Sequence, residues 1–192
     1  TGSGAWRGRC LAQLGGLAQQ VGRPDLARTA YVTLAQDFAD QPHLAGQALL
    51  NLCRMDANSA DPASVIARLE GLLQAQYPSA VRIQARYLLV ELLLRTGQFD
   101  RAAQVAGAEP DNSGVRADLL MTVAAALQDE GRLPQAERLC RQVLEEQPGH
   151  AGAARRLYEI ASAGGKLEEL KAELLGLLRE QEGVAAQVLM NL

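Results

Sequence analysis

The stretch that decides the fold runs from Ala117 to His150 and reads ADLLMTVAAALQDEGRLPQAERLCRQVLEEQPGH. Leu120, Val123, Ala124 and Leu127 recur three and four apart and form one apolar stripe; Ala136, Cys140 and Val143 form a second. That spacing predicts two amphipathic helices. Between them Gly131 supplies the left-handed conformation that closes a helix, and Pro134 falls in the first turn of the next, where a missing N–H costs little. Pro148 ends the unit.

The pattern repeats outward with a period of 34 residues, marked by Gly97, Gly131 and Gly165. Towards the carboxyl end, Ala154, Leu157, Tyr158 and Ala161 precede Gly165, and Leu170, Leu174 and Leu177 follow it. Towards the amino end, Arg86, Leu89, Val90 and Leu93 precede Gly97, and Phe99, Ala102 and Ala106 follow. Pro110 arrives early there, which predicts a second helix one turn short and a loop, EPDNS, at 109–113. At the start of the chain Leu11, Leu14, Gly15 and Ala18 lead to Gly22, then Ala27, Tyr31 and Leu34, with Arg23-Pro24-Asp25 as the turn and Gly15-Gly16 permitting close helix packing. Seven extra residues between Gly22 and Gly97 make the second repeat irregular. Its helices are expected at 43–57 and 62–76, with Asp61 as N-cap and Pro62 as the first helical residue.

These residues resemble the tetratricopeptide repeat, a helix–turn–helix unit of 34 residues with the signature W-x2-L-G-x2-Y…A-x3-F…P. Leu120, Val123, Ala124 and Leu127 take the W, L, G and Y slots; only the large aromatics are missing. The resemblance implies an all-α, right-handed α-solenoid of about five such repeats, at about 5–41, 42–78, 79–112, 113–149 and 150–183, with a partial cap helix at 184–192 and the whole of 1–192 as one array. It further implies a concave groove lined by outward positions of each first helix. Carried over by position, the lining is Arg9, Ala12, Gly16 and Gln19, then Gln47, Asn51 and Arg54, then Gln84, Tyr87, Glu91 and Leu94. It continues with Asp118, Met121, Ala125 and Gln128, and ends with Arg155 and Glu159. Tyr87 and Met121 are the candidates to anchor an apolar side chain of a bound peptide or helix. Family members that clamp a chaperone's terminal carboxylate use Lys and Asn where this chain has Ala12 and Gly16, so that clamp is disfavoured.

Composition narrows the function classes. Aromatic residues make up 4% and apolar residues 48%, with Ala and Leu dominant, which suits close-packed helices. Residues 1–96 hold nine Arg and seven acids, and 97–192 hold ten basic residues and fifteen acids; neither half carries the basic stripe a nucleic-acid binder needs. No run approaches the roughly 20 apolar residues of a membrane helix, so direct membrane insertion is not expected. Cys10, Cys53 and Cys140 are scattered and odd in number, which reads as buried free thiols. His43 and His150 lie over 100 residues apart with no ligand neighbours, so no metal site is expected. Glu145-Glu146 and Glu168-Glu169 lie near Arg141 and Lys171, at helix-supporting spacing. Neither a phosphate-binding glycine loop nor a nucleophile elbow occurs, so no cofactor and no catalytic residue is assigned.

The expectation is a noncatalytic scaffold that binds another protein or peptide in its groove. An Arg- and Ala-rich, Lys-poor composition points to a bacterial source, with an assembly such as exopolysaccharide export or pilus machinery as the setting, in periplasm or cytoplasm. The alternative is the interaction segment of a larger enzyme, transporter or cytoplasmic regulator. The closing VAAQVLMNL starts as a further first helix without a polar cap, so the chain is expected to be a fragment of a longer one.

Overall fold

The computed structural model describes residues 2–58, 61–110 and 113–180, with side chains omitted for 2–5, 113 and 174–180. Ten α-helices make up these residues, and no strand occurs among them. They form two compact units, Thr1–Thr96 and Gly97–Leu192. The first holds α1 (Gly2–Gln20), α2 (Pro24–Asp37), α3 (Pro42–Asp56), α4 (Pro62–Gln74) and α5 (Ser79–Arg95). The second holds α6 (Phe99–Gly107), α7 (Ser113–Asp129), α8 (Leu133–Glu146), α9 (Ala151–Ala163) and α10 (Leu167–Glu180). The cap helix expected at 184–192 and the side chains of Leu174 and Leu177 lie outside the described residues, as do Asp111 and Asn112 of the expected loop.

The glycine turns are built alike. Gly22, Gly97, Gly131 and Gly165 have φ of 70°, 73°, 71° and 68°, the left-handed region that a Cβ disfavours. At three of them the same pair of bonds closes the helix. Gly22 N–H donates to Gln19 O (3.2 Å) and Arg23 N–H to Ala18 O (2.7 Å). Gly131 and Arg132 repeat this on Gln128 and Leu127 (2.9 and 2.8 Å), and Gly165 and Lys166 on Ser162 and Ala161 (3.3 and 2.8 Å). This is the Schellman closure, which satisfies carbonyls the helix end leaves orphaned. Helix starts are equally readable: prolines occupy the first turn of α2, α3, α4 and α8. Asp61 caps α4 by accepting from Ser64 N–H at 3.2 Å. His150 caps α9, its Nδ1 accepting from Ala153 N–H at 3.0 Å.

Each stripe predicted in the 117–150 stretch is buried, from Leu120 at 1% exposure to Cys140 at 0%. In unit 1, Ala18, Ala27, Tyr31, Leu34, Phe38, Ala48 and Leu52 form one apolar cluster joining α1, α2 and α3. Burying side chains of this size contributes about 1.5–3 kcal/mol each for the larger ones. α6 has nine residues, five fewer than α8, as the early Pro110 requires.

Four expectations need correction. Leu14 is not core: it is 41% exposed, because among the described residues no helix lies against the face of α1 that carries it. Tyr158 is 39% exposed, since its slot is filled by Gly15, Val90 and Ala124 in the equivalent helices and is too small for a ring. Only one of the paired glycines allows close packing, because a Cβ at Gly15 would meet Tyr31 whereas at Gly16 it would meet nothing within 4 Å. Lys171 does pair with Glu168 at i,i+3 (2.7 Å), but Arg141 pairs with Glu137 (3.0 Å) and Glu173 and not with Glu145, while Glu146 pairs with Arg116 (2.8 Å).

Candidate functional site

Within unit 1 the first helices pack on one another, α1 on α3 and α3 on α5, and no equally close contact joins α2 to α4. The layer therefore bends towards its first helices, and their outward positions form the inner face. Unit 2 is built the same way, with α7 on α9. On the second-helix side of unit 2 the splay opens a cleft of about 290 Å³ walled by Phe99, Ala103, Leu127 and Leu139. Arg132 stacks over Phe99 at 5.3 Å there, and Asp100 accepts from Gln135 Nε2 at 3.1 Å.

The groove residues expected from sequence lie on the first helices α1, α3, α5, α7 and α9, and none is buried. In unit 1, Arg9, Arg54, Tyr87 and Glu91 are exposed, and Gln47, Asn51 and Gln84 half-buried. Arg54 ties two of them together: Nη1 donates to Asn51 Oδ1 at 3.3 Å and Nη2 to Gln84 Oε1 at 2.8 Å. One guanidinium thus bridges α3 to α5 across the inner face. Nearby, Arg95 of α5 donates to Asn58 Oδ1 at 3.0 Å, and Tyr31 Oη donates to Gln19 Oε1 at 3.0 Å. Described amides and arginines dominate this surface, with Glu91 as its acid.

In unit 2, Asp118, Arg155 and Glu159 are exposed, and Met121 and Gln128 half-buried. Arg156 of α9 donates to Gln128 Oε1 of α7 at 2.6 Å. Arg155 and Glu159 face each other at 3.9 Å one turn apart, a pair worth little at such exposure.

Behind the inner face of unit 1 sits an ion cluster that the sequence pattern did not single out. Asp56, at the end of α3, receives Arg28 from α2 and Arg68 from α4, the latter at 2.7 Å. The hydrogen bond from Arg28, followed by that from Arg68, holds the Asp56 carboxyl below its ordinary range against the opposing effect of burial. Its contacts are 28 and 12 residues away in sequence, which no local motif reveals.

The two buried cysteines offer no nucleophile. Burial pushes the Cys53 thiol up and the Cys140 thiol to about 11, so both stay protonated near neutral pH. Among the described residues, no three or more His, Cys, Asp or Glu side chains gather as metal ligands would, and no helix is long and apolar enough to cross a membrane.

An all-helical repeat array closed by left-handed glycines, with first helices packed on first helices, has the architecture of a tetratricopeptide-type solenoid. Solved structures share it. The crystal structure of MamA protein matches with a TM-score of 0.59 at 16% identity, over 92% of this chain and 92% of that one. A second MamA crystal structure matches at 0.55 and 15% over 93% and 94%, and a double mutant of MamA RS-1 at 0.56 and 15% over 91% and 96%. No family model matches the chain, and no curated protein matches it. At such identities the likeness is one of fold.

Proposed function

We propose that this protein is a noncatalytic interaction scaffold that holds a segment of another protein on the inner, first-helix face of its repeats. The observation that carries the reading is the Arg54 bridge to Asn51 and Gln84, which fixes amide groups in a row beside the half-exposed Tyr87. Amides held in place can donate to and accept from an extended backbone at little ordering cost, and an aromatic ring beside them supplies an anchor. Arg9 and Arg54 against Glu91 favour a segment of acidic character. Unit 2, taken by itself, offers Met121 as an adaptable apolar contact on its own first-helix face.

The test is affinity capture with the partner identified by mass spectrometry, followed by titration of the captured partner against variants. Tyr87→Ala and Arg54→Ala are expected each to weaken binding by about tenfold, the scale of a lost anchor of about 1.4 kcal/mol. Their helical circular dichroism should match the wild type. Unchanged affinity in both would remove the inner face of unit 1 as the site.

A further inference from the structure

The irregular second repeat encloses a cavity of about 250 Å³ between α3 and α4. Leu49 and Cys53 of α3 form its floor, and Leu72 and Ala75 of α4 one wall. After α4 the chain runs extended, with Ala75 at φ −79° and ψ 157°, and this carries the Tyr77 ring back over α3 as the other wall. The ring seats directly on Gly46, where a Cβ would stand 2.7 Å from Tyr77 Cδ1. That approach fixes the wall in place. The cavity lies within the array: α2 and α5, from the repeats on either side, both pack on α3.

Gly71 points to a space kept open. It stands inside α4, where glycine costs about 0.5–1 kcal/mol relative to alanine, yet a Cβ there would meet nothing within 4 Å. No close packing calls for its small size. At 100° per residue Gly71 shares one side of α4 with Arg68, Leu72 and Ala75, the side that lines the cavity. A side chain at 71 would enter the space that these residues surround.

Arg68 is the one charged residue among the cavity's described walls. Its single bond runs from Nη2 to Asp56 Oδ2 at 2.7 Å, so Nε and Nη1 have no partner among the described residues. Asp56 is itself shared, since Arg28 donates to both of its oxygens. At the Cys53 thiol, on the cavity floor, Arg68 acts more strongly than Asp56, so the interior is electropositive. An apolar chamber with one guanidinium and no acid in its walls selects an anion with an apolar body. Its volume admits about eight non-hydrogen atoms, at the roughly 30 Å³ that each water takes in the liquid.

We propose that this cavity binds a small aliphatic monocarboxylic acid, its tail between Leu49, Leu72 and the Tyr77 ring and its carboxylate on Arg68. Leu49 and Cys53 lie about half a turn around α3 from Gln47, Asn51 and Arg54, so the site is separate from the inner face. Neither reading depends on the other.

The probe is hexanoate, titrated at pH 7 into the nitrogen-15-labelled protein while its assigned amide resonances are followed. Saturable shifts are expected at Leu49, Gly71, Ala75 and Tyr77, with a Kd of about 1 mM, the scale set by so small a ligand. Hexanamide, the neutral isostere, and Arg68→Gln with hexanoate should each bind about tenfold more weakly, the loss of one charge-assisted contact. Arg68→Lys should retain part of the affinity. Asp56→Asn should tighten binding several-fold, because it removes the carboxylate that competes for Arg68. Gly71→Leu should abolish binding while keeping the helical circular dichroism, since the added side chain fills the cavity and favours the helix. Absence of saturation at these four amides would overturn the proposal. So would equal binding of hexanamide, or binding that survives Gly71→Leu. Weakening by Asp56→Asn in parallel with Arg68→Gln would overturn it as well, since the ion cluster would then act only by holding the fold.

Discussion

The ring of Tyr31 lies so close to Gly15 that a Cβ on the glycine would stand 2.5 Å from Tyr31 Cε1. This approach sets the spacing of α1 and α2 and lets Tyr31 sink to 2% exposure while its hydroxyl reaches Gln19 at 3.0 Å. Large ring and absent side chain complement each other.

Gly15→Ala therefore sets a helix-propensity gain of about 0.5–1 kcal/mol against an overpacking cost of about 1–3 kcal/mol, and the collision wins. The ring is wedged in the core cluster and has no room to retreat. Gly16→Ala meets nothing within 4 Å and keeps only the gain. Urea denaturation should show the first variant destabilised by about 1–2 kcal/mol and the second stabilised by about 0.5 kcal/mol or more. Equal behaviour of the two would mean that Tyr31 does not confine the helix.

Gly131→Ala should cost about 1–2 kcal/mol through the backbone alone. Its φ of 71° is a conformation that a Cβ penalises by that amount, although a Cβ there meets no neighbour. Gly131→Asn should lose less, because Asn tolerates the left-handed region. Comparing the urea midpoints of the two variants separates backbone strain from packing.

The regular parts of this fold were legible because local rules and packing agree in them. Pro134, Gly131 and the stripe from Leu120 to Val143 each point to the same helix pair, and each is where the pattern puts it. Leu14 misled because periodicity says that a residue belongs on an apolar face, not whether anything lies against that face. The Asp56 cluster was invisible for a different reason: its three members come from three consecutive helices and follow no fixed spacing. Of the inner face, position alone could be read; the Arg54 bridge depends on how α3 and α5 are placed.

Asp56 makes the stability of unit 1 depend on acid. Its carboxyl is held below the ordinary range when folded, chiefly by Arg28 and then Arg68, so the unfolded chain takes up the proton first as pH falls. The stabilisation is complete above the ordinary carboxylate pKa of about 4 and disappears as pH drops through the lowered folded value. Asp56→Asn should thus be less stable than wild type in urea at pH 7, with the gap closing below about pH 4. A gap that stayed constant from pH 7 to pH 3 would show that the ion cluster contributes through packing instead.

The thiols should separate by environment. Cys10 is half-buried on the outer stripe of α1, whereas Cys53 and Cys140 are 1% and 0% exposed. Burial raises both buried thiols, Cys140 to about 11, so at pH 8 thiolate is scarce at these two sites as well as shielded. Iodoacetamide on the native protein at pH 8 should place one label, on Cys10, and mass spectrometry after labelling in urea should find all three cysteines modified. Rapid native labelling of Cys140 would mean that the α8 stripe opens to solvent far more often than its packing implies.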